Sequence, residues 1–161
     1  VKEHPAAPHD ADATVDAVDM TLLRLLAQDA RLSVSALAEQ GAISRASAYA
    51  RLGRLQKSGV IEGFTVRVDP TKTGAGFGAI ILLTGGQLAS GELRTQLTDM
   101  PEVAYAAFVT GASDAIVLVR VRDMDALRDL IFLKLQKLPG IRGSHTLIVM
   151  EEVIPPRMVL P

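Results

Sequence analysis

Apolar residues recur at helical spacing through the first third of the chain and alternate through much of the second half; the change falls near residue 70. Val18, Leu22, Leu25 and Leu26 form an i, i+4, i+7, i+8 stripe, which predicts a helix from Asp16 to about Asp29. Asp16 is placed to cap it, and Asp19 adds negative charge in the first turn, where the helix dipole favours it. Ser33 to Gly59 reads SVSALAEQGAISRASAYARLGRLQKSG and predicts two further helices around a break at Gly41-Ala42-Ile43. Ser33 and Ser44 each offer a side-chain oxygen to first-turn N–H groups that otherwise lack a partner. Gly59 can end the longer helix, because a residue without Cβ enters the left-handed region freely. A short helix, a tight turn and a longer helix make a helix-turn-helix, with the Asp16 helix as its support.

Beyond Gly59, Phe64, Val66 and Val68 alternate with Thr65 and Arg67, which predicts a half-buried strand within Val60 to Val68. Asp69 to Gly74 (DPTKTG) breaks the pattern and marks a domain boundary. Gly76 to Thr84 then reads as a strand, Ser90 to Met100 as a helix stopped by Pro101, and Val103 to Thr110 and Asp114 to Arg122 as strands. In the last of these, Ile116, Leu118 and Arg120 share one side, and Val117, Val119 and Val121 the other. Asp123 can cap a long helix from Met124 to Leu138, stopped by Pro139-Gly140, and Ile141 to Val153 closes as a strand. This order is β-α-β-β-α-β, the ferredoxin-like arrangement, with helices over one face of the sheet. The other face still carries apolar residues, so at least a dimer is expected. The fold class is therefore α+β: a winged helix-turn-helix domain, then a ferredoxin-like domain. The boundaries read as a tail over 1–15, a DNA-binding domain with its linking strand over 16–68, a linker over 69–75, a second domain over 76–155 and a tail over 156–161.

Charge sharpens the reading of the third helix. From Ser44 to Ser58 it carries Arg45, Arg51, Arg54 and Lys57 and no acid. On a wheel Ala48, Leu52 and Leu55 share one side with Tyr49 at its edge, while Ser47, Arg51 and Arg54 fall on another. A basic side suits the phosphate polyanion, and the side chains between the cations suit base edges in the major groove. Ser44, Arg45, Ser47, Arg51, Arg54 and Lys57 are the expected DNA-binding residues. A solvated basic face on an ordinary bundle helix is the competing reading.

Length and composition remove other classes. The chain has 161 residues, 48% apolar, with a formal net charge of −1, enough for real cores but not for binding nucleic acid by bulk charge. It has no cysteine, hence no disulfide, thiolate metal site or cysteine nucleophile. Val1 to Val15 is rich in Pro, Ala, His and Asp and reads as a mobile tail; His4 and His9 within it read as a solvated pair, not as metal ligands. No apolar run approaches the roughly 18 residues that span a bilayer, and the N-terminus shows no signal-peptide apolar region. No cofactor and no membrane partner are expected, and the location expected is cytoplasmic.

The ordered set of segments resembles the Lrp/AsnC family, the feast/famine transcription regulators. Asp16-Ala17-Val18-Asp19 followed by Leu22-Leu23-Arg24-Leu25-Leu26 resembles the family's opening helix, and Asp29-Ala30-Arg31-Leu32-Ser33 its first turn. Ala50-Arg51-Leu52-Gly53-Arg54-Leu55 and Gly59 to Phe64 resemble the recognition helix and exit strand. Val109 to Asp114 matches the G-x-x-D turn, and Leu138 to Ile141 and Val149 to Val153 match the closing segments. The likeness covers about residues 16 to 155, and its specificity lies in the order, not in any one motif. It implies a regulator that binds double-stranded DNA and dimerises sheet to sheet, with dimers often assembling into octamers or open helical arrays. It also implies a small effector, usually an amino acid, bound between dimers near the G-x-x-D turn. Carried over, that points to Gly111 and Asp114 with Thr110, Ala112 and Ser113, and to Thr146 and Ile148 on a facing strand; a plain β-turn explains Gly111 and Asp114 equally well.

Three positions depart from the family pattern. The turn glycine stands one place early, at Gly41; Arg45 replaces a small residue or proline; and Gly53 occupies a mid-helix site usually held by a basic residue. Weaker or differently targeted DNA binding is expected from these. The alternatives are an enzyme on the same architecture, resembling the siroheme decarboxylases, with Arg120, Arg122, Arg142 and His145 as its only cationic cluster, and an orphan ligand-binding module that has lost its DNA affinity.

Overall fold

The computed structural model describes residues 14–86 and 91–153. Residues 1–13 of the expected N-terminal tail, the expected tail over 156–161, His4, His9 and Ser90 lie outside them. The chain divides into two compact units, with the division between Val66 and Arg67.

The first unit is trihelical: α1 (Ala17–Gln28), α2 (Val34–Gln40) and α3 (Arg45–Lys57). Each begins at the side chain read from the sequence. Asp16 accepts from the Asp19 N–H at 2.8 Å, Ser33 from Ala36 at 3.2 Å and Ser44 from Ser47 at 3.1 Å. The Asp19 carboxylate returns the bond to the Asp16 N–H at 3.0 Å, completing a capping box. Leu22, Leu26 and Leu37 form the centre of the core, with Leu52 and Ile61 packed against it. Gly59, at φ +75°, ends α3.

The second unit is a four-stranded antiparallel sheet in the order β2-β3-β1-β4. Its strands are β1 (Phe77–Gly85), β2 (Val103–Phe108), β3 (Ala115–Val121) and β4 (Ile141–Ile148). Helix α4 (Gly91–Thr98) joins β1 to β2. Helix α5 (Met124–Asp129) continues through a wide turn at Leu130–Lys134 and a tight one at Leu135–Lys137. Leu138 is extended, as a residue before proline must be. Ala79, Ile81, Leu83, Val117 and Val119 pack beneath Leu93, Leu97, Leu127, Leu130 and Leu135. The register puts Ile80, Leu82, Ile116 and Leu118 on the opposite face, with Leu147 and Tyr105 beside them.

Two strand expectations are corrected. Val60 to Val68 forms no ladder: Phe64, Val66 and Val68 are exposed, and residues 62–69 have no regular structure. Alternation supplies a two-sided strand, but a strand also needs a hydrogen-bonding neighbour, and this segment has none among the described residues. For the same reason the last strand stops at Ile148 and not at Val153; past Ile148 the one backbone bond among the described residues runs from the Val149 N–H to the Gly78 carbonyl.

Candidate DNA interface and effector turn

The charges of α3 do not all stand free. Asp19 is fully buried. The Arg51 guanidinium donates to Asp16 at 2.6 Å and to Asp19 at 2.9 Å, and Arg54 donates to the other Asp19 oxygen at 2.5 Å. Arg54 also reaches the Thr14 carbonyl at 3.5 Å. The capping box of α1 is thus also the receptor for two arginines of α3. These contacts set the local electrostatics. The Asp19 N–H and then Arg51 pull the Asp16 carboxyl down to about 2. Burial pushes Asp19 up, but the Asp16 N–H, Arg51 and Arg54 together outweigh it and hold its carboxyl below the ordinary range. The two carboxylates raise Arg51 further, Asp16 first.

This corrects the wheel, which placed Arg51 and Arg54 on a free basic side. A wheel gives an angle around one helix and not the partner across from it. Of the expected DNA-binding residues, Arg45 and Lys57 are exposed and make no ion pair among the described residues. Ser44 is exposed, with its hydroxyl engaged as the cap; Ser47 is half-buried, and its N–H bonds that cap. Arg54 retains partial exposure, and Arg51 is the more enclosed of the pair. Tyr49, read as the edge of the apolar side, is 73% exposed. The apolar contact surface of α3 is instead Ala48 and Leu55, with Leu52 at its border.

The turn glycine also has consequences. Gly41 is an ordinary right-handed C-cap, and Ala42 takes the left-handed φ of +52°. A Cβ on Gly41 would meet the Leu37 carbonyl oxygen at 2.9 Å and a Leu22 methyl at 3.2 Å. Packing therefore fixes glycine at 41, and the strain passes to the alanine. At Gly53, by contrast, a Cβ would meet nothing within 4 Å, although a mid-helix glycine costs about 1 kcal/mol against alanine.

In the second unit the β2–β3 turn is tied to the end of β1. The Asp114 N–H donates to the Leu83 carbonyl, its carbonyl accepts from Val109, and its carboxylate accepts from the Gly85 N–H, each at 2.9 Å. Gly111 has φ +132°, a conformation that disfavours any side chain. Thr110, Gly111, Ala112 and Asp114 are exposed and Ser113 is half-buried. Thr146 and Ile148 stand opposite Ile81 and Ala79 on β4, across β1 from β3 and towards the far end of β1, so one chain does not gather them with the turn. The cationic cluster of the enzyme reading is dispersed. Arg120 is paired with Glu152 and Arg122 with Asp123, Arg142 lies over Gly86, and His145 faces the uncovered side of the sheet opposite Leu82. Among the described residues no group of His, Asp and Glu is arranged to hold a metal, and no helix is long and apolar enough to cross a membrane.

Comparison with known proteins agrees with this architecture. The Lrp/AsnC ligand binding domain model matches residues 79–159, and a winged helix-turn-helix DNA-binding model matches residues 15–62. The chain is 31% identical over 142 residues to the leucine-responsive regulatory protein of Escherichia coli, covering 86% of this chain and 87% of that one. It is 33% identical over 153 residues to the regulator AldR of Mycolicibacterium smegmatis, covering 92% and 90%. Among solved structures, E. coli AsnC superposes with a TM-score of 0.80 at 27% identity, covering 91% of this chain and 99% of that one. The feast or famine regulatory protein of M. tuberculosis, complexed with L-methionine, does so at 0.82, with 27% identity and the same coverage. A capped trihelical unit, a β-α-β-β-α-β sheet and these likenesses together place the chain in the Lrp/AsnC family of transcriptional regulators.

Proposed function

We propose that this regulator binds double-stranded DNA through α3 and responds to an amino acid held at the Gly111–Asp114 turn. The observation that carries the reading is a recognition helix capped by Ser44 that offers Arg45 and Lys57, exposed and without an ion pair among the described residues, with Arg54 partly exposed. Arg45, Lys57 and Arg54 meet phosphates. Ser44 and Ser47 hold the start of the helix, and Arg51 holds its middle against α1. The protein works in the cytoplasm, without a cofactor and without catalysis, as a homodimer or a larger even assembly such as an octamer. A dimer presents two recognition helices to half-sites about 34 Å apart, one turn of DNA.

The effector enters with its carboxylate towards the exposed N–H groups around Gly111 and its ammonium group towards Asp114. Thr146 and Ile148 join the site from a second copy, since one chain does not bring them together. The effector acts by favouring one assembly over another. Likeness to the methionine-bound relative supports the amino-acid class.

The test is a salt titration of binding to the chain's own upstream DNA, with and without mixed amino acids. Affinity falls with salt, with a log–log slope of roughly −0.9 per phosphate neutralised. One amino acid shifts the curve, and Asp114→Ala removes that shift while leaving binding without effector in place. A response that survives Asp114→Ala reduces the turn to a structural element.

A further inference from the structure

The side of α3 that faces away from Ala48 and Leu55 carries Ala46, Tyr49, Ala50 and Gly53, residues that a helix of 3.6 residues per turn gathers on one surface. Ala46, Tyr49 and Ala50 are exposed. The two inner arginines are committed to Asp16 and Asp19, so they cannot be the main readers of this surface while the helix stays in place. Tyr49 is the large side chain left on it. Its phenol is solvent-facing and has no hydrogen-bond partner among the described residues, although a phenol both donates and accepts. Gly53, one turn further along, lowers helix stability and relieves no clash, because space is open where its Cβ would be. A bare backbone that serves nothing inside the fold suits the close approach of something outside it.

We infer that Tyr49 is the base-reading side chain of α3, and that Gly53 is bare so that the DNA can approach the helix at that turn. The inference rests on the DNA-binding reading and specifies its chemistry. Sequence is read by one aromatic hydroxyl beside a low-relief surface, and the cations at Arg45 and Lys57 position the helix on phosphates. Phosphate contacts fix register without carrying sequence information, so the two roles separate experimentally.

The experiment selects duplexes from a random pool with the full-length wild-type chain. It then measures the affinity ratio between the best duplex and a scrambled one for wild type, Tyr49→Ala and Gly53→Ala, together with thermal midpoints. Tyr49→Ala is expected to cut the ratio roughly tenfold or more with an unchanged salt slope. Gly53→Ala is expected to raise the melting midpoint of its unit by about 4–8 °C and yet weaken binding to the selected duplex. Opposite shifts in stability and affinity are the mark of a glycine kept for a partner. A tyrosine variant with the wild-type ratio, or a glycine variant that gains stability and binds as before, overturns the inference while leaving the DNA-binding reading intact. A wild type that selects no sequence and shows no salt-dependent binding overturns both.

Discussion

Ala42 adopts the left-handed conformation because the glycine of its turn is held one residue earlier by the Leu22 and Leu37 contacts. An L-residue with a Cβ is strained there by roughly 1 kcal/mol or more. Ala42→Gly therefore raises stability by about 1 kcal/mol in urea unfolding, offset in part by the freer unfolded chain. A variant no more stable than wild type shows that the turn relaxes around the alanine. The early glycine was legible in the sequence, but its cause was not. Nothing in the order of residues says that Leu22, nineteen positions away, fills the space where a Gly41 Cβ would go. Tyr49 teaches the same point: an aromatic beside an apolar stripe reads as the edge of the apolar side until the packing partners are known.

At the scale of elements, α1 and α3 are joined by a buried carboxylate with two guanidinium partners. Removing the carboxylate leaves Arg51 and Arg54 without their shared acceptor, so Asp19→Ala costs about 3 kcal/mol in chemical unfolding, the low end for a buried pair because both guanidinium groups keep some exposure. A cost as small as that of an exposed pair shows that the arginines find other partners. The same contacts predict an acid limit. Asp16 and Asp19 titrate lower in the folded protein than in the unfolded chain, where a carboxyl sits near 3.8. Their contribution is thus complete above that value and is lost as pH falls through the folded-state titration, which for Asp16 lies at about 2. Unfolding midpoints measured across that window decline for wild type and decline less for the Asp19→Ala variant. The caps were legible because capping is local, three residues from donor to acceptor. The arginine pairs were not, because they span more than thirty residues and depend on how two helices pack. The false strands at Val60 to Val68 and beyond Ile148 failed for a related reason, since pleating is a property of one segment and pairing a property of two.

For the whole molecule, the sheet's uncovered face is the informative surface. Ile80, Leu82, Ile116 and Leu118 are only half-buried there, beside Tyr105 at 58% exposure and Leu147 at 44%. A contiguous apolar patch of this kind suits a covering partner, and the proposed dimer would supply one as a second copy of the same face. Leu118→Glu is expected to yield monomers by sedimentation and to lower DNA affinity, because two recognition helices no longer act as one ligand. Dimers that persist place the contact elsewhere. The alternation along β3 made its two sides readable, but which of them the helices cover follows from the packing of Val117 and Val119 beneath them. The turn proposed to hold the effector was readable only in part. Gly111 and Asp114 lie in a turn between two strands, as their residue types predict, but the bond from Gly85 to Asp114 and the separation of Thr146 and Ile148 follow from strand order, which no local pattern carries.

The Asp19 clamp also governs how this regulator can be retargeted. Positions 51 and 54 both hold α3 to α1, whatever else Arg54 meets, so randomising them confounds altered recognition with unfolding. Positions 46, 49 and 50 are exposed on the far side of the helix, and a library confined to them samples new operators on an unchanged support. The clamp thereby separates the part of the helix that must be inherited from the part that is free to diverge.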